Sequence, residues 1–488
     1  MNLRHAVALT TQTAMLCAAS VLGWSQQPLD MKPATDQLAA SIYNGSSMAT
    51  LGELADGIGG RLTGSPAYVR STEWAVAKFR SDGIQNVRLD PFSIPAGWQR
   101  GTASGSILAP LSRPLNLASL GWAPSTPAGG VQGSVVLIAD VEPDALRSHE
   151  EGMRGRIVFL DTTKIYAEGY GKALPKIEAA WKVFQKAGVL AVIMPDRETN
   201  NVLNAHDSLW GARLLPIPAA EIGMEDSKLI QRELERGAVT IQMTIENKTS
   251  GEMKVNNVVA EIRGSERPDE WILIGAHLDS WDFGTGAQDN GAGVATVLEV
   301  GRALMTLGKA PSRSIRLALW GGEEQGLLGS YAYTQTHLRE MNNCVAVLNT
   351  DNGAGHPKGW KVEGREDLKK AIQPLSDGLL KDLDGSDISM ETTYNTDHGP
   401  FMLQGIPVLD LSVDMTKYME IHHKSSDTLD KIDALDFKGG EVIVAVTAYA
   451  IAQSGTPIAP HIDHEAVSEI IKKAKLDDML VNIGVWKP

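Results

Sequence analysis

The sequence predicts an α/β protein built on a mostly parallel mixed sheet flanked by helices, with a separate unit inserted into it. Three observations predict this. From Asn257 onward, short apolar strands alternate with helical segments, the pattern of a parallel sheet covered on both faces. Between Gly129 and Thr249 the texture changes to short strands with few helices. The chain has 488 residues, whereas a single domain usually has about 100–200.

The elements follow in order. Leu38, Ile42, Met48, Leu51, Leu54 and Ile58 recur at loose helical spacing. The Gly59–Pro66 segment breaks that pattern, a second helix is expected over Tyr68–Ser81, and Val87–Leu89 starts a strand. In the insert, Val135–Ala139, Gly155–Leu160, Val189–Met194 and Val239–Ile245 read as strands and Ile177–Ala187 as a helix. Downstream, strands are expected at Trp271–Ala276, Ile315–Trp320, Cys344–Asn349 and Pro407–Leu411. Helices are expected at Gly293–Leu307, Leu327–His337, Leu368–Leu380 and Gly439–Ile451, and one more over His464–Val481 in the tail. The domain plan is therefore 1–25 as leader, 26–128 with 250–456 as the main domain, 129–249 as insert and 457–488 as tail.

The first 25 residues read as an export signal: basic Arg4, a mainly apolar Ala6–Leu22, and small Gly23 and Ser25 before a cut at Gln26. Leu16 is a poor neighbour for lipidation of Cys17, which ranks low. The expected location is secreted or periplasmic, with no membrane contact after cleavage. Cys344 would be the mature chain's lone cysteine, so no disulfide framework exists. The formal net charge of −14 argues against nucleic acid as a partner.

Polar residues collect just past the apolar strands. His277 and Asp279 follow the first strand, Glu323 and Glu324 the next, and Asp351 the third. Asp289 opens a helix, and His422-His423 precede Asp427. In a doubly wound sheet these strand ends come together, where ligands bind. Each signal alone is weak, since a loop histidine or a Glu pair is usually solvated. Jointly they fit a metal site, which offsets the cost of clustered carboxylates. Zinc takes imidazole and carboxylate donors, and His277, Asp289, Glu324, Asp351 and His423 are enough for two Zn2+ ions. Glu323 is left as a general base. No Gly-x-Ser-x-Gly motif competes, and Cys344 sits inside an apolar strand.

These motifs resemble the aminopeptidase Y / glutamate carboxypeptidase family of co-catalytic zinc exopeptidases. The likeness rests on Leu278–Asp282 through Gly286, Ala287, Asp289 and Gly291, on Leu319-Trp320 with Glu323–Gly326, and on His422-His423 before Asp427-Thr428. It spans nearly all of the mature chain, and Gly60–Ser65 is similar to the family's N-terminal signature. The resemblance implies the zinc-exopeptidase (phosphorylase-like) fold, with the insert as a protease-associated domain. It implies one zinc on His277 and Asp351, the other on Glu324 and His423, with Asp289 bridging. It makes Asp279 an orienting partner of His277 and Glu323 the proton carrier.

His423 is the expected ligand of the pair, because it lies four residues before Asp427 as the family's spacing asks. Lys424 departs from the family's small hydroxyl residue. His422 is a candidate for oxyanion stabilisation, with packing beside the site as the equal alternative. His398 is expected to be structural, and His149, His206, His337, His356, His461 and His464 to be surface or loop residues.

The expected function is hydrolysis of short peptides or dipeptides, with a homodimer as a further expectation from the resemblance. Two alternatives stay open. One is a single-zinc glutaminyl-peptide cyclotransferase, which shares the fold and many motifs. The other is a non-catalytic, receptor-like binding protein, which usually lacks ligand residues.

Overall fold

The computed structural model describes residues 31–167 and 169–487. The expected leader (1–25) and Cys17 lie outside the described residues. Two eight-stranded sheets organise the described residues. The first runs in the order Asn86–Ile94, Met253–Ile262, Arg313–Trp320, Arg267–His277, Cys344–Asn349, Val408–Val413, Pro357–Lys361, Asp387–Ser389. Its four central strands, Arg313–Trp320 to Val408–Val413, are parallel neighbours. Both faces are covered, so these strands are continuous apolar runs: every residue of Cys344–Asn349 and the last seven of Arg267–His277 are buried.

Two helices do most of the covering. Ala434–Gln453 is buried along nearly its whole length, and its N-cap Asp433 accepts the amides of Leu435 and Asp436. Ala292–Thr306 packs close to the sheet edge because of Gly293, where an added Cβ would stand 2.4 Å from the Thr350 carbonyl oxygen. The N-terminal helices, across 31–43 and Ser47–Ala55, lie on the same side; Ser47–Ala55 packs against Ala292–Thr306.

The second sheet holds Arg113–Pro114, Trp98–Ala109, Thr240–Thr249, Val131–Ile138, Ile157–Leu160, Ala191–Pro195, Ala219–Ile222 and Leu117–Ser119. Four of its strands, Val131–Ile138 to Ala219–Ile222, are parallel neighbours. Helices Pro143–Met153, Tyr170–Ala187 and Met224–Arg236 accompany them. This sheet starts well before residue 129, the expected edge of the insert. Trp98–Ala109 pairs along most of its length with Thr240–Thr249. The strand is rich in Gly, Ser and Thr, so no clean apolar alternation announces it.

The tail also differs from expectation. The single helix expected over 464–481 is two, His464–Ala474 and Asp477–Asn482, broken at Lys475, whose φ is +59°. The second of these docks on helix Tyr170–Ala187, where Asn482 donates to the Gly171 carbonyl at 2.7 Å. No helix among the described residues is long and apolar enough to cross a membrane.

Candidate active site

The parallel strands deliver the polar residues to one edge of the first sheet. His277 is the last residue of its strand, Glu323 and Glu324 follow the strand ending at Trp320, and Asp351 follows the strand ending at Asn349. A sharp turn at Gly322, with φ +70°, returns the chain after Trp320. His423 itself has φ +61°, a region non-glycine residues seldom occupy.

Asp289 lies between the two histidines. Its Oδ1 is 3.1 Å from His277 Nε2, and its Oδ2 is 3.3 Å from His423 Nε2. His277 Nε2 is also 3.1 Å from Asp351 Oδ1 and 3.9 Å from Glu323 Oε2. His423 Nε2 is 3.0 Å from Glu324 Oε2. Donor atoms of His277, Glu323 and Asp351 lie within 4.8 Å of one another, as do those of His277, Asp289 and Glu324, and of Asp289, His422 and His423. Each trio could hold a small cation.

His422 also reaches Asp289, with Nε2 3.4 Å from Oδ2, and its ring stacks on His423 at 3.7 Å. Only His423 of the two contacts Glu324. The Asp279 carbonyl, 3.0 Å from His277 Nδ1, is nearer than its carboxylate Oδ1 at 3.6 Å. Asp279 Oδ1 instead accepts the Glu323 amide at 3.3 Å, and no hydrogen bond reaches its Oδ2 among the described residues. His398 lies fully buried, with Nε2 3.6 Å from Glu363 Oε1.

The electrostatics are those of charge packed into a dry edge. Burial pushes the Glu323 carboxyl well above the usual range, His277 opposing and Asp351 and Glu324 adding to it. Burial and the Asp289 charge push Glu324 up to about 7. Burial also raises Asp351. At His423, burial works against the charged form, yet the Glu324 and Asp289 carboxylates lift it to about 10. At His277, burial is likewise outweighed, by Asp351 and Glu323, and it sits well above its ordinary value. Burial opposes ionisation of Asp289 too, but hydrogen bonds from His277 and His423 hold it well below the carboxylate range. His422 is the exception: burial and the His423 charge lower it to about 4.

Several supports were not legible as such in the sequence. Buried Arg61 donates from Nε to the Leu278 carbonyl at 2.5 Å, from one terminal nitrogen to Thr285 and from the other to Gly286, both at 3.0 Å. It thereby fixes the loop between His277 and Asp289. Thr63 Oγ1 accepts the Gly322 amide at 2.7 Å. The family signature at Gly60–Ser65 pointed at this stretch without giving its task. The chain that carries the second sheet also reaches the site: Ala205 donates its amide to the His423 carbonyl at 2.8 Å.

Four carboxylates and two imidazoles, buried or half-buried, thus share one edge, with an unpartnered carboxylate oxygen behind them. This donor set fits cations that take nitrogen and oxygen ligands.

A family model described as "Peptidase family M28" matches residues 257–445, which include every residue of the trios above. Carboxypeptidase Q of Bos taurus is 30% identical over 419 residues, covering 83% of this chain and 85% of its own length. The chain belongs to peptidase family M28. It is accordingly a hydrolase of the peptidase class. A probable lipoprotein aminopeptidase of Mycobacterium tuberculosis, LpqL, is 27% identical, covering 88% of this chain and 90% of its own. Among solved structures, a peptidase M28 precursor from Shewanella amazonensis has a TM-score of 0.77 at 29% identity, covering 90% of this chain and 100% of that one. BSAP, a zinc aminopeptidase from Bacillus subtilis, shares the fold: TM-score 0.63 at 21% identity, over 83% of this chain and 93% of that one.

Proposed function

We propose that the chain is an exported exopeptidase that hydrolyses short peptides with two zinc ions, both of which Asp289 would help to hold. The observation that carries this reading is the divided carboxylate of Asp289, one oxygen toward His277 and the other toward His423. His277 and Asp351 would hold one ion and Glu324 and His423 the other. Zinc ions, when bound there, supply Lewis acidity toward the peptide carbonyl and acidify water.

The chain's own residues do the rest. Glu323 takes the proton of the attacking water at a carboxylate oxygen and passes it to the leaving amine nitrogen. Asp279 orients the His277 ring and steadies the Glu323 backbone. His422, neutral at physiological pH, donates from its ring toward the developing oxyanion. The second sheet, read as a protease-associated domain, closes the cleft from the side of Ala205. Zinc is supported by the donor types and by the zinc aminopeptidase of similar fold. Export is supported by the apolar stretch Ala6–Leu22, and the mature chain would begin at Gln26. A homodimer completes the reading, with sedimentation as its test.

Glu323→Gln tests the mechanism. The variant should keep its zinc and its substrate affinity and lose about 10²–10⁴-fold in kcat. Turnover near the wild-type rate would remove Glu323 from this role.

A further inference from the structure

Lys424, next to His423, stands where the family resemblance asks for a small hydroxyl residue. Its side chain is nearly buried. Its Nζ lies 2.8 Å from Glu198 Oε2 and donates to the Glu420 carbonyl at 2.9 Å. A serine or threonine hydroxyl sits one bond beyond Cβ and is too short to make the same reach.

Glu198 belongs to the chain that carries the second sheet. It follows the strand Ala191–Pro195, and the Asp196 carboxylate draws the segment into a loop by accepting the amides of Glu198 at 2.8 Å and Asn204 at 2.7 Å. From that loop the Asn204 side chain donates to the His422 carbonyl at 3.2 Å, and the Ala205 amide donates to the His423 carbonyl at 2.8 Å. Further on, the Gly211 amide donates to the Gln325 carbonyl at 2.8 Å. Trp210 lies against Gly326, where an added Cβ would stand 2.4 Å from the indole. The segment from Asp196 to Gly211 therefore touches both loops that carry Glu324 and His423. The Lys424–Glu198 pair adds a charged fastening to these contacts. His423 needs to be held, because its φ of +61° is a region that non-glycine residues seldom occupy unless their surroundings impose it.

We propose that Lys424 is a positioning residue: through Glu198 it holds the His423 loop against Glu324, so that tight zinc binding by these two ligands requires the second sheet to be docked. This rests on the two-zinc reading above. Removing Glu198 leaves the nearly buried ammonium without its counter-charge, and removing Lys424 unfastens the loop. In either case the pairing of His423 Nε2 with Glu324 Oε2, at 3.0 Å, is less firmly held. His277 and Asp351 stand at strand ends of the first sheet, outside this fastening, and keep their hold on zinc.

The test follows zinc release from the zinc-loaded full chain during titration with a chelator of known affinity. Lys424→Met and Glu198→Gln should each weaken the binding of one of the two zinc ions by about 10–100-fold and leave the other at its wild-type affinity. Lys424→Arg, which keeps the charge, should recover most of that loss. The double variant Lys424→Met with Glu198→Gln should lose no more than the weaker single variant, because the two side chains act as one pair. Glu198→Gln alters a half-exposed side chain, so it decides the point even if Lys424→Met fails to fold. Equal loss from both ions, unchanged affinity in Glu198→Gln, losses that add in the double variant, or a Lys424→Arg variant as weak as Lys424→Met would overturn the proposal. A wild type that binds fewer than two zinc ions would contradict the two-zinc reading itself and this proposal with it.

Discussion

Asp427 accepts the backbone amide of Asp289 at 3.1 Å, while its other oxygen accepts the Gln288 amide at 2.7 Å. The carboxylate thus holds the backbone of the residue that faces both histidines. Asp427→Ala should weaken zinc binding by about 10–100-fold and leave the fold intact, with activity recovering in excess zinc. Chelator competition measures the affinity. An unchanged affinity would mean that the Asp289 loop positions itself without Asp427.

Arg61 is fully buried and hydrogen-bonds three backbone carbonyls. Arg61→Met keeps the length of the side chain but leaves those carbonyls unpaired. It should cost about 3 kcal/mol or more in urea unfolding. A loss within about 0.5 kcal/mol would show that the loop does not depend on the guanidinium.

Zinc uptake should release protons. Without a metal, burial is outweighed: the Glu324 and Asp289 carboxylates raise His423 to about 10, and Asp351 and Glu323 raise His277 in the same direction, which favours the charged form of both imidazoles. A ligand imidazole must be neutral. Apparent zinc affinity should therefore rise between pH 6 and 8, by about tenfold per unit for each proton displaced. Calorimetry in buffers of different ionisation enthalpy counts the protons. Zero proton release at pH 7 would contradict the assignment of the two histidines as ligands.

Glu363 gives a pH effect on stability away from the metal ligands. Burial pushes its carboxyl up to about 7, with His398 opposing. A carboxyl raised in the folded chain binds its proton more tightly there than in the unfolded chain. Its contribution is therefore full below the unfolded value of about 4.3 and is lost as pH rises through about 7. Glu363→Gln keeps an oxygen for the Thr393 amide and removes that loss. The variant should gain on the order of 2 kcal/mol relative to wild type between pH 5 and pH 8. Parallel stability–pH curves for the two proteins would rule this out.

Much of the site was legible because a parallel sheet presents its strand ends on one edge. His277, Glu324 and Asp351 each follow a buried apolar run, so the residues nominated from sequence lie together in the structure. What was not legible depends on contacts distant in sequence. Arg61 reaches across more than two hundred residues to Leu278. Glu198 reaches Lys424 from a part of the chain with no motif of its own. Trp98–Ala109 escaped because Gly101, Ser104 and Gly105 interrupt the apolar alternation that marks a strand, while pairing with Thr240–Thr249 supplies its order. The tail helix was read too long because its apolar spacing continues through Lys475, where the backbone turns left-handed.

The most direct test of the central claim is elemental analysis of zinc per chain after gentle purification, repeated after chelation and zinc reconstitution. Close to two zinc ions per chain are expected, with peptidase activity rising with occupancy. A stoichiometry that stays near one, with full activity, would contradict the pair of ions held with the help of Asp289 and favour a single-zinc chemistry such as glutaminyl cyclisation; a chain that takes up none would contradict the zinc mechanism altogether.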